Sequence, residues 1–216
     1  NAAISACEKA ASWEQALALL ASLPRLGLAP TIVTCSAAIS ACEKSTQWQL
    51  ALVLLGSMAD LGVLPNVVSC NAAISACEKG GQWQLALALL GSMTDRQIAA
   101  NTISFSAAIS ACERGLQWEA ALALLGSISC LRAVPDAISW NAAASACERG
   151  GQWRLALSLL GSMTDLRVVP TVVSCAAAIS ACETGRQPRV ALGFLSSIAD
   201  LRLAGMRQSL VAVQKK

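Results

Sequence analysis

Asn71, Ser75 and Lys79 are spaced four and four, which at 3.6 residues per turn sets them along one face of a helix. The trio recurs as Asn1, Ser5, Lys9; as Ser36, Ser40, Lys44; as Ser106, Ser110, Arg114; and as Asn141, Ser145, Arg149. It then decays to Ala176, Ser180, Thr184. The chemistry this offers is recognition: amides and hydroxyls present donors and acceptors, and five cations in a row suit a polyanion. Catalytic and metal-binding sets are missing by residue type. The chain has no histidine and no C-x-x-C, so the zinc-ligand spacings are absent. No cofactor, small-molecule substrate or enzymatic activity is expected. A solvated surface stripe is the plainer explanation of the charges, and Glu8, Glu43, Glu78, Glu113, Glu148 and Glu183 beside the cations weaken their field. On charge alone, a nucleic acid and a peptide both remain open as partners.

The elements that must position these residues are set by a strict period. Asn1, Ser36, Asn71, Ser106, Asn141 and Ala176 follow one another at intervals of 35, and so do Trp13, Trp48, Trp83, Trp118 and Trp153, with Pro188 in the sixth place. A period in this range marks a solenoid. In the third repeat Ala73, Ile74 and Cys77 form the apolar stripe of a first helix over about Ser69 to Lys79. Gly80-Gly81 ends it. Trp83, Ala86, Leu87 and Leu90 then predict a second amphipathic helix ending near Met93. Pro30, Pro65, Pro135 and Pro170 punctuate the links between repeats. Neither helix buries its stripe alone, so stacking must do it, and the fold class is an all-α solenoid. The tryptophans read as packing between repeats rather than as ligand-stacking rings.

Composition agrees with this. Hydrophobic residues make up 55% of the 216, and net charge is +3. Mean hydropathy is +0.55, yet charged or amide residues interrupt every repeat, so no membrane span of roughly 20 apolar residues is expected. Six of the ten cysteines (Cys7, Cys42, Cys77, Cys112, Cys147, Cys182) share one repeat slot, and Cys35, Cys70 and Cys175 share another. They read as buried small hydrophobes of a reducing compartment, not as disulfides. The chain opens at Asn1, inside a repeat and without Met, so it reads as a piece of a longer protein whose targeting segment lies elsewhere.

The repeat resembles the pentatricopeptide repeat of organellar RNA-binding proteins. The resemblance is carried by the 35-residue period, the Val-Val-Ser-Cys-Asn-Ala-Ala-Ile-Ser start from Val67, the Leu-Ala-Leu-Leu-Gly-Ser-Met run from Leu87 and the Gly-Val-Leu-Pro-Asn ending from Gly62. The related tetratricopeptide repeat, which binds peptides, has a period of 34 and lacks the Pro-Asn or Pro-Asp ending. The resemblance covers residues 1–206 as six repeats: 1–31 (partial), 32–66, 67–101, 102–136, 137–171 and a degenerate 172–206, followed by a tail over 207–216. It implies a right-handed superhelical solenoid that binds single-stranded RNA with one base per repeat, in RNA processing, stability or translation in a mitochondrion or chloroplast. Other RNA-processing proteins are implied as partners. The alternative is a protein- or peptide-binding helical scaffold.

Base choice, by the same resemblance, is set by the early polar residue of the first helix together with the last residue of that repeat. The pairs are Asn1 with Thr31, Ser36 with Asn66, Asn71 with Asn101, Ser106 with Asp136 and Asn141 with Thr171. They imply the sequence pyrimidine-A-C/U-G-pyrimidine. Ala176 with Met206 has no readable meaning. Val33, Val68, Ile103, Ile138 and Val173 would sandwich bases between neighbouring repeats, and Lys9, Lys44, Lys79, Arg114 and Arg149 would approach phosphates. Where the family often has Tyr before the Asn or Ser slot, this chain has Cys35, Cys70, Phe105, Trp140 and Cys175, expected to face the core. Some family members carry a zinc deaminase domain, whose H-x-E signature cannot occur in a chain without histidine.

Overall fold

The computed structural model describes residues 1–130, 135–165, 168 and 171–186. Eleven α-helices run through them: α1 (Ala2–Lys9), α2 (Trp13–Ser22), α3 (Ile32–Lys44), α4 (Trp48–Ser57), α5 (Val67–Lys79), α6 (Trp83–Asp95), α7 (Thr102–Arg114), α8 (Trp118–Cys130), α9 (Ala137–Arg149), α10 (Trp153–Asp165) and α11 (Val172–Thr184). A 3-10 turn over Pro24–Leu26 follows α2. Odd-numbered helices are the first of each repeat and even-numbered ones the second. The expected second helix of the sixth repeat, with Pro188 and Met206, lies outside the described residues, as do Pro170 and the tail.

Each full first helix starts two residues earlier than the periodicity alone suggests, because its start is set by a cap. Thr31, Asn66, Asn101, Asp136 and Thr171 are the N-caps of α3, α5, α7, α9 and α11, and each accepts from the backbone N–H three residues on. Four of the five close a reciprocal capping box, in which the third helical residue accepts from the cap's own N–H. The first helices end in a right-handed residue followed by a left-handed one. Gly81 (φ 68) and Gly151 (φ 73) suit that position, but Ala11, Thr46, Leu116 and Arg186 occupy it too, at φ 52–58.

First helices pack on the first helices of neighbouring repeats, and each second helix packs on its own first helix and the next one. Second helices make no comparable close backbone approach to one another among the described residues. The first helices therefore form the tight row and the second helices the splayed one, which curves the array with the first helices inside. Small side chains permit the tight row: Ala38, Ala41, Ala73, Ala76, Ala108 and Ala111 are fully buried. Ile39, Ile74 and Ile109 fill the space between them. In the fifth repeat Ala144 takes that slot while the larger Trp140 lies one turn earlier, both buried, which trades volume along one face.

The tryptophans pack between repeats. A Cβ built on Gly80 would sit 2.3 Å from Trp48 Cδ1, on Gly115 2.3 Å from Trp83 Cδ1, on Gly150 2.5 Å from Trp118 Cδ1 and on Gly185 2.5 Å from Trp153 Cδ2. Each indole thus lies against the glycine that ends the next repeat's first helix. The first glycine of the Gly-Gly pair is kept small for that ring, and only the second serves the turn.

Cys35, Cys42, Cys70, Cys77, Cys112, Cys147 and Cys182 are buried free thiols, while Cys7 is half-buried. Burial pushes Cys77, Cys112 and Cys147 up to about 11, so they stay protonated and unreactive at neutral pH. Cys35, Cys70, Phe105 and Trp140 face the core; the side chain of Cys175 lies outside the described residues. No helix of the described residues is long and apolar enough to cross a membrane.

Candidate nucleic-acid interface

The side chains left outward on a first helix form one stripe. On α5 the exposed or half-buried positions are Val67, Val68, Asn71, Ser75, Glu78 and Lys79, and the residues at the other positions are buried. That stripe gathers the sequence-predicted sandwiching, base-reading and phosphate positions on a single face. Val33, Val68, Ile103, Ile138 and Val173 are 52–63% exposed, an unusual state for β-branched aliphatics in an otherwise well-packed array.

In three of the five predicted reading pairs the early residue of a first helix meets the cap of the next first helix. Asn71 Nδ2 donates to Asn101 Oδ1 at 3.2 Å, and Asn141 Nδ2 donates to Thr171 Oγ1 at 3.2 Å. Thr31 Oγ1 lies 3.5 Å from Asn1 Oδ1. Thr31, Asn101 and Thr171 are thus both helix caps and halves of a polar pair. Capping fixes its orientation: Asn66 Oδ1 accepts from Ser69 N (2.9 Å), Asn101 Oδ1 from Ser104 N (3.1 Å) and Asp136 Oδ1 from Ser139 N (2.8 Å). Because a backbone N–H can only donate, the amide nitrogen is the end left over on Asn66 and Asn101, and a carboxylate oxygen on Asp136.

The serine slots differ from the expectation of hydroxyls presented outward. Ser36 and Ser106 are 8% and 7% exposed, whereas Asn71 and Asn141 stand half-buried at the same slot. Ser106 Oγ donates back to Ile103 O at 3.1 Å, and Ser36 Oγ is buried without a protein partner. The reason is reach: a serine side chain is too short to clear the helix's own backbone and turns down onto it. A serine slot is therefore a recess and an asparagine slot a post. At the second repeat the recess opens as a pocket of about 280 Å³ lined by Val33 and Val68 together with Ser5, Glu8, Ser36, Ser40 and Asn66.

The cations form the expected row, but the four from the second repeat onward are each paired with the glutamate of the preceding repeat. Lys44 Nζ lies 3.0 Å from Glu8 Oε1, Lys79 Nζ 2.9 Å from Glu43 Oε1, Arg114 Nε 3.3 Å from Glu78 Oε1 and Arg149 Nη2 3.8 Å from Glu113 Oε1. Lys9 is exposed at the start of the row. Where Thr184 replaces the cation, Ser180 Oγ donates to Glu148 Oε1 at 2.6 Å instead. Burial raises Glu78 and Glu113 above the ordinary carboxylate range, against the pull of Arg114 and Arg149 respectively. The cations themselves keep a third to a half of their side-chain surface in solvent.

Sequence reasoning missed one set of polar residues here. Thr34, Ser69, Ser104, Ser139 and Ser174 are buried at the third position of the first helices, and in two repeats they reach across to the reading slot: Ser104 Oγ donates to Asn71 Oδ1 (2.6 Å) and Ser174 Oγ to Asn141 Oδ1 (2.7 Å). Their signal was the capping pattern of a polar residue followed three later by Ser or Thr at every repeat boundary. Among the described residues no cluster of three or more potential ligands could hold a metal ion.

Comparison with known proteins places the geometry in a class. Residues 65–114 match the sequence model of the PPR repeat family and residues 138–168 that of the PPR repeat. The fold superposes on the crystal structure of pentatricopeptide repeat protein PPR10 from maize with a TM-score of 0.72, at 25% identity over 92% of this chain and 28% of that one. PPR10 in complex with an 18-nt psaJ RNA element matches with a TM-score of 0.69, at 21% identity over 95% of this chain and 32% of that one. The PPR domain of Arabidopsis thaliana protein-only RNase P 1, solved with tRNA, gives a TM-score of 0.66, at 17% identity over 82% of this chain and 95% of that domain. A search of curated proteins finds no sequence match. The chain is an all-α solenoid with the fold of pentatricopeptide repeat proteins, and its residues 65–114 and 138–168 match that repeat in sequence. It spans under a third of the length of the maize protein it resembles.

Proposed function

We propose that the chain is a sequence-selective scaffold for single-stranded RNA, one base per repeat, acting in RNA processing, stability or translation in a mitochondrion or chloroplast, alongside other RNA-processing proteins. The observation that carries the reading is the pocket lined by Val33 and Val68. Two uncovered aliphatic side chains line a recess whose polar lining comes from Ser5, Glu8, Ser36, Ser40 and Asn66. Apolar side chains together with polar ones suit an unpaired base, whose faces are apolar and whose Watson–Crick edge is polar.

The recess-and-post contrast fits a division of the bases by size. Ser36 and Ser106 leave room for a purine, while Asn1, Asn71 and Asn141 fill the slot and leave room for a pyrimidine. The cap then chooses within each size. The free amide nitrogen of Asn66 donates and so suits the N1 acceptor of adenine; the free carboxylate oxygen of Asp136 accepts and so suits the N1–H and N2–H of guanine. The Asn71–Asn101 pair offers donors to the acceptors of cytosine or uracil. Lys9, Lys44, Lys79, Arg114 and Arg149 would meet phosphates after exchanging their glutamate partners. The PPR10 structures with bound RNA lend support from a protein of the same fold.

Gel-shift titration of the chain against pyrimidine-A-C/U-G-pyrimidine RNA and a scrambled control tests the reading. Tighter binding of the first is the expected result. Equal or absent binding of both would sink it.

A further inference from the structure

The geometry points to Ser104 and Ser174 as positioning residues that fix which end of the Asn71 and Asn141 amides faces the RNA, a role that rests on the base-reading function proposed above. The argument starts from a group whose polarity is certain. Ser104 N–H donates to Asn101 Oδ1 at 3.1 Å, so that atom is an oxygen. Asn71 approaches the same oxygen at 3.2 Å and must therefore present its nitrogen there. Its oxygen then faces Ser104 Oγ, which donates to it at 2.6 Å, the shortest contact of the cluster. The fifth repeat repeats this at 2.7 Å from Ser174 Oγ to Asn141 Oδ1, with Asn141 Nδ2 on Thr171 Oγ1. Each asparagine is thus held at both ends, one end by a hydroxyl sealed from solvent.

The serine-slot repeats show what the same hydroxyl does when no asparagine is in reach. Ser69 Oγ donates to Asn66 O at 2.9 Å, and Ser139 Oγ donates to Asp136 Oδ1 at 2.7 Å. Ser69 and Ser104 both accept from the N–H of their own cap, at 3.0 and 3.1 Å. Their capping duty is therefore the same, and only the destination of the proton differs. Without Ser104 the Asn71 amide loses one of its two holds and can turn its oxygen outward, offering an acceptor where a pyrimidine's acceptor would meet it.

The test measures base preference rather than affinity. Five-base RNAs varied only at the third base are titrated by fluorescence anisotropy against the native chain, Ser104→Ala and Ser69→Ala. The native chain and Ser69→Ala should favour C or U over A or G at that base. Ser104→Ala should lose about 3- to 10-fold of that ratio, the worth of one neutral hydrogen bond, while preference at the second and fourth bases stays put. Retention of the ratio by Ser104→Ala, or an equal loss in Ser69→Ala, overturns the assignment. Ser174→Ala read at the fifth base is an independent copy of the test should Ser104→Ala fail to fold. A native chain indifferent to all third bases defeats the base-reading function itself, whereas selective native binding with an unaffected Ser104→Ala defeats this role alone.

Discussion

At the scale of single residues, specificity comes down to which atoms remain after the fold has used the rest. Capping consumes one oxygen of every repeat-terminal residue, and what is left over is a nitrogen on Asn66 or Asn101 and an oxygen on Asp136. Ser106→Asn puts a post where a recess stood, so the fourth-base preference should move from guanine to uracil in a competition titration; an unchanged order would mean that the slot does not read bases. The reading slots and their partners were legible in the sequence, because they are the few positions that vary within a fixed period. That the serine hydroxyls turn inward was not, since the pattern gives the face of the helix but not whether a short side chain clears its backbone. The capping serines were missed because a buried hydroxyl repeated in every repeat looks like core filler until its partner is seen across the boundary.

At the scale of the helix, adjacent positions obey opposite rules. Gly115 is kept small by Trp83, so Gly115→Ala should cost about 1–3 kcal/mol through overpacking and lower the thermal unfolding midpoint. Its neighbour Leu116 sits at φ 58 without needing its side chain there. Leu116→Gly relieves a left-handed strain of about 1–2 kcal/mol against a glycine entropy cost of about 0.5–1 kcal/mol, so it should leave stability level or slightly raised. An unfolding midpoint for Gly115→Ala equal to that of the native chain would remove the tryptophan–glycine contact from the account. Helix order and ends followed from the period and from Gly and Trp, but the sequence assigned both glycines to the turn. The contact that fixes the first lies in another repeat, beyond any local pattern.

At the scale of the whole molecule, the array couples repeats through a ladder of ion pairs, a helix stack and a row of buried thiols. Exposed or half-exposed pairs are each worth only about 0–1 kcal/mol, so they hold the cations in register without locking them. Glu78→Gln should free Arg114 and tighten RNA binding while steepening its salt dependence, measured as the slope of log affinity against log salt. Acid should act in the same direction. Burial raises Glu78 and Glu113, so the folded chain holds those protons more tightly than the unfolded one. As pH falls through the window above the ordinary carboxylate value they protonate first, which favours the fold and releases Arg114 and Arg149; as pH rises back through it, that contribution is lost. The solenoid itself was plain from the period, but the pairing of a cation with the preceding glutamate follows from the offset between neighbouring helices, which no single repeat encodes. The most direct test of base reading by paired slots is a reciprocal exchange at the fourth base. The native chain should bind RNA with guanine there more tightly than RNA with adenine, and Asp136→Asn, which keeps the cap but turns the free acceptor into a donor, should reverse that order. The same order in both proteins would contradict the account.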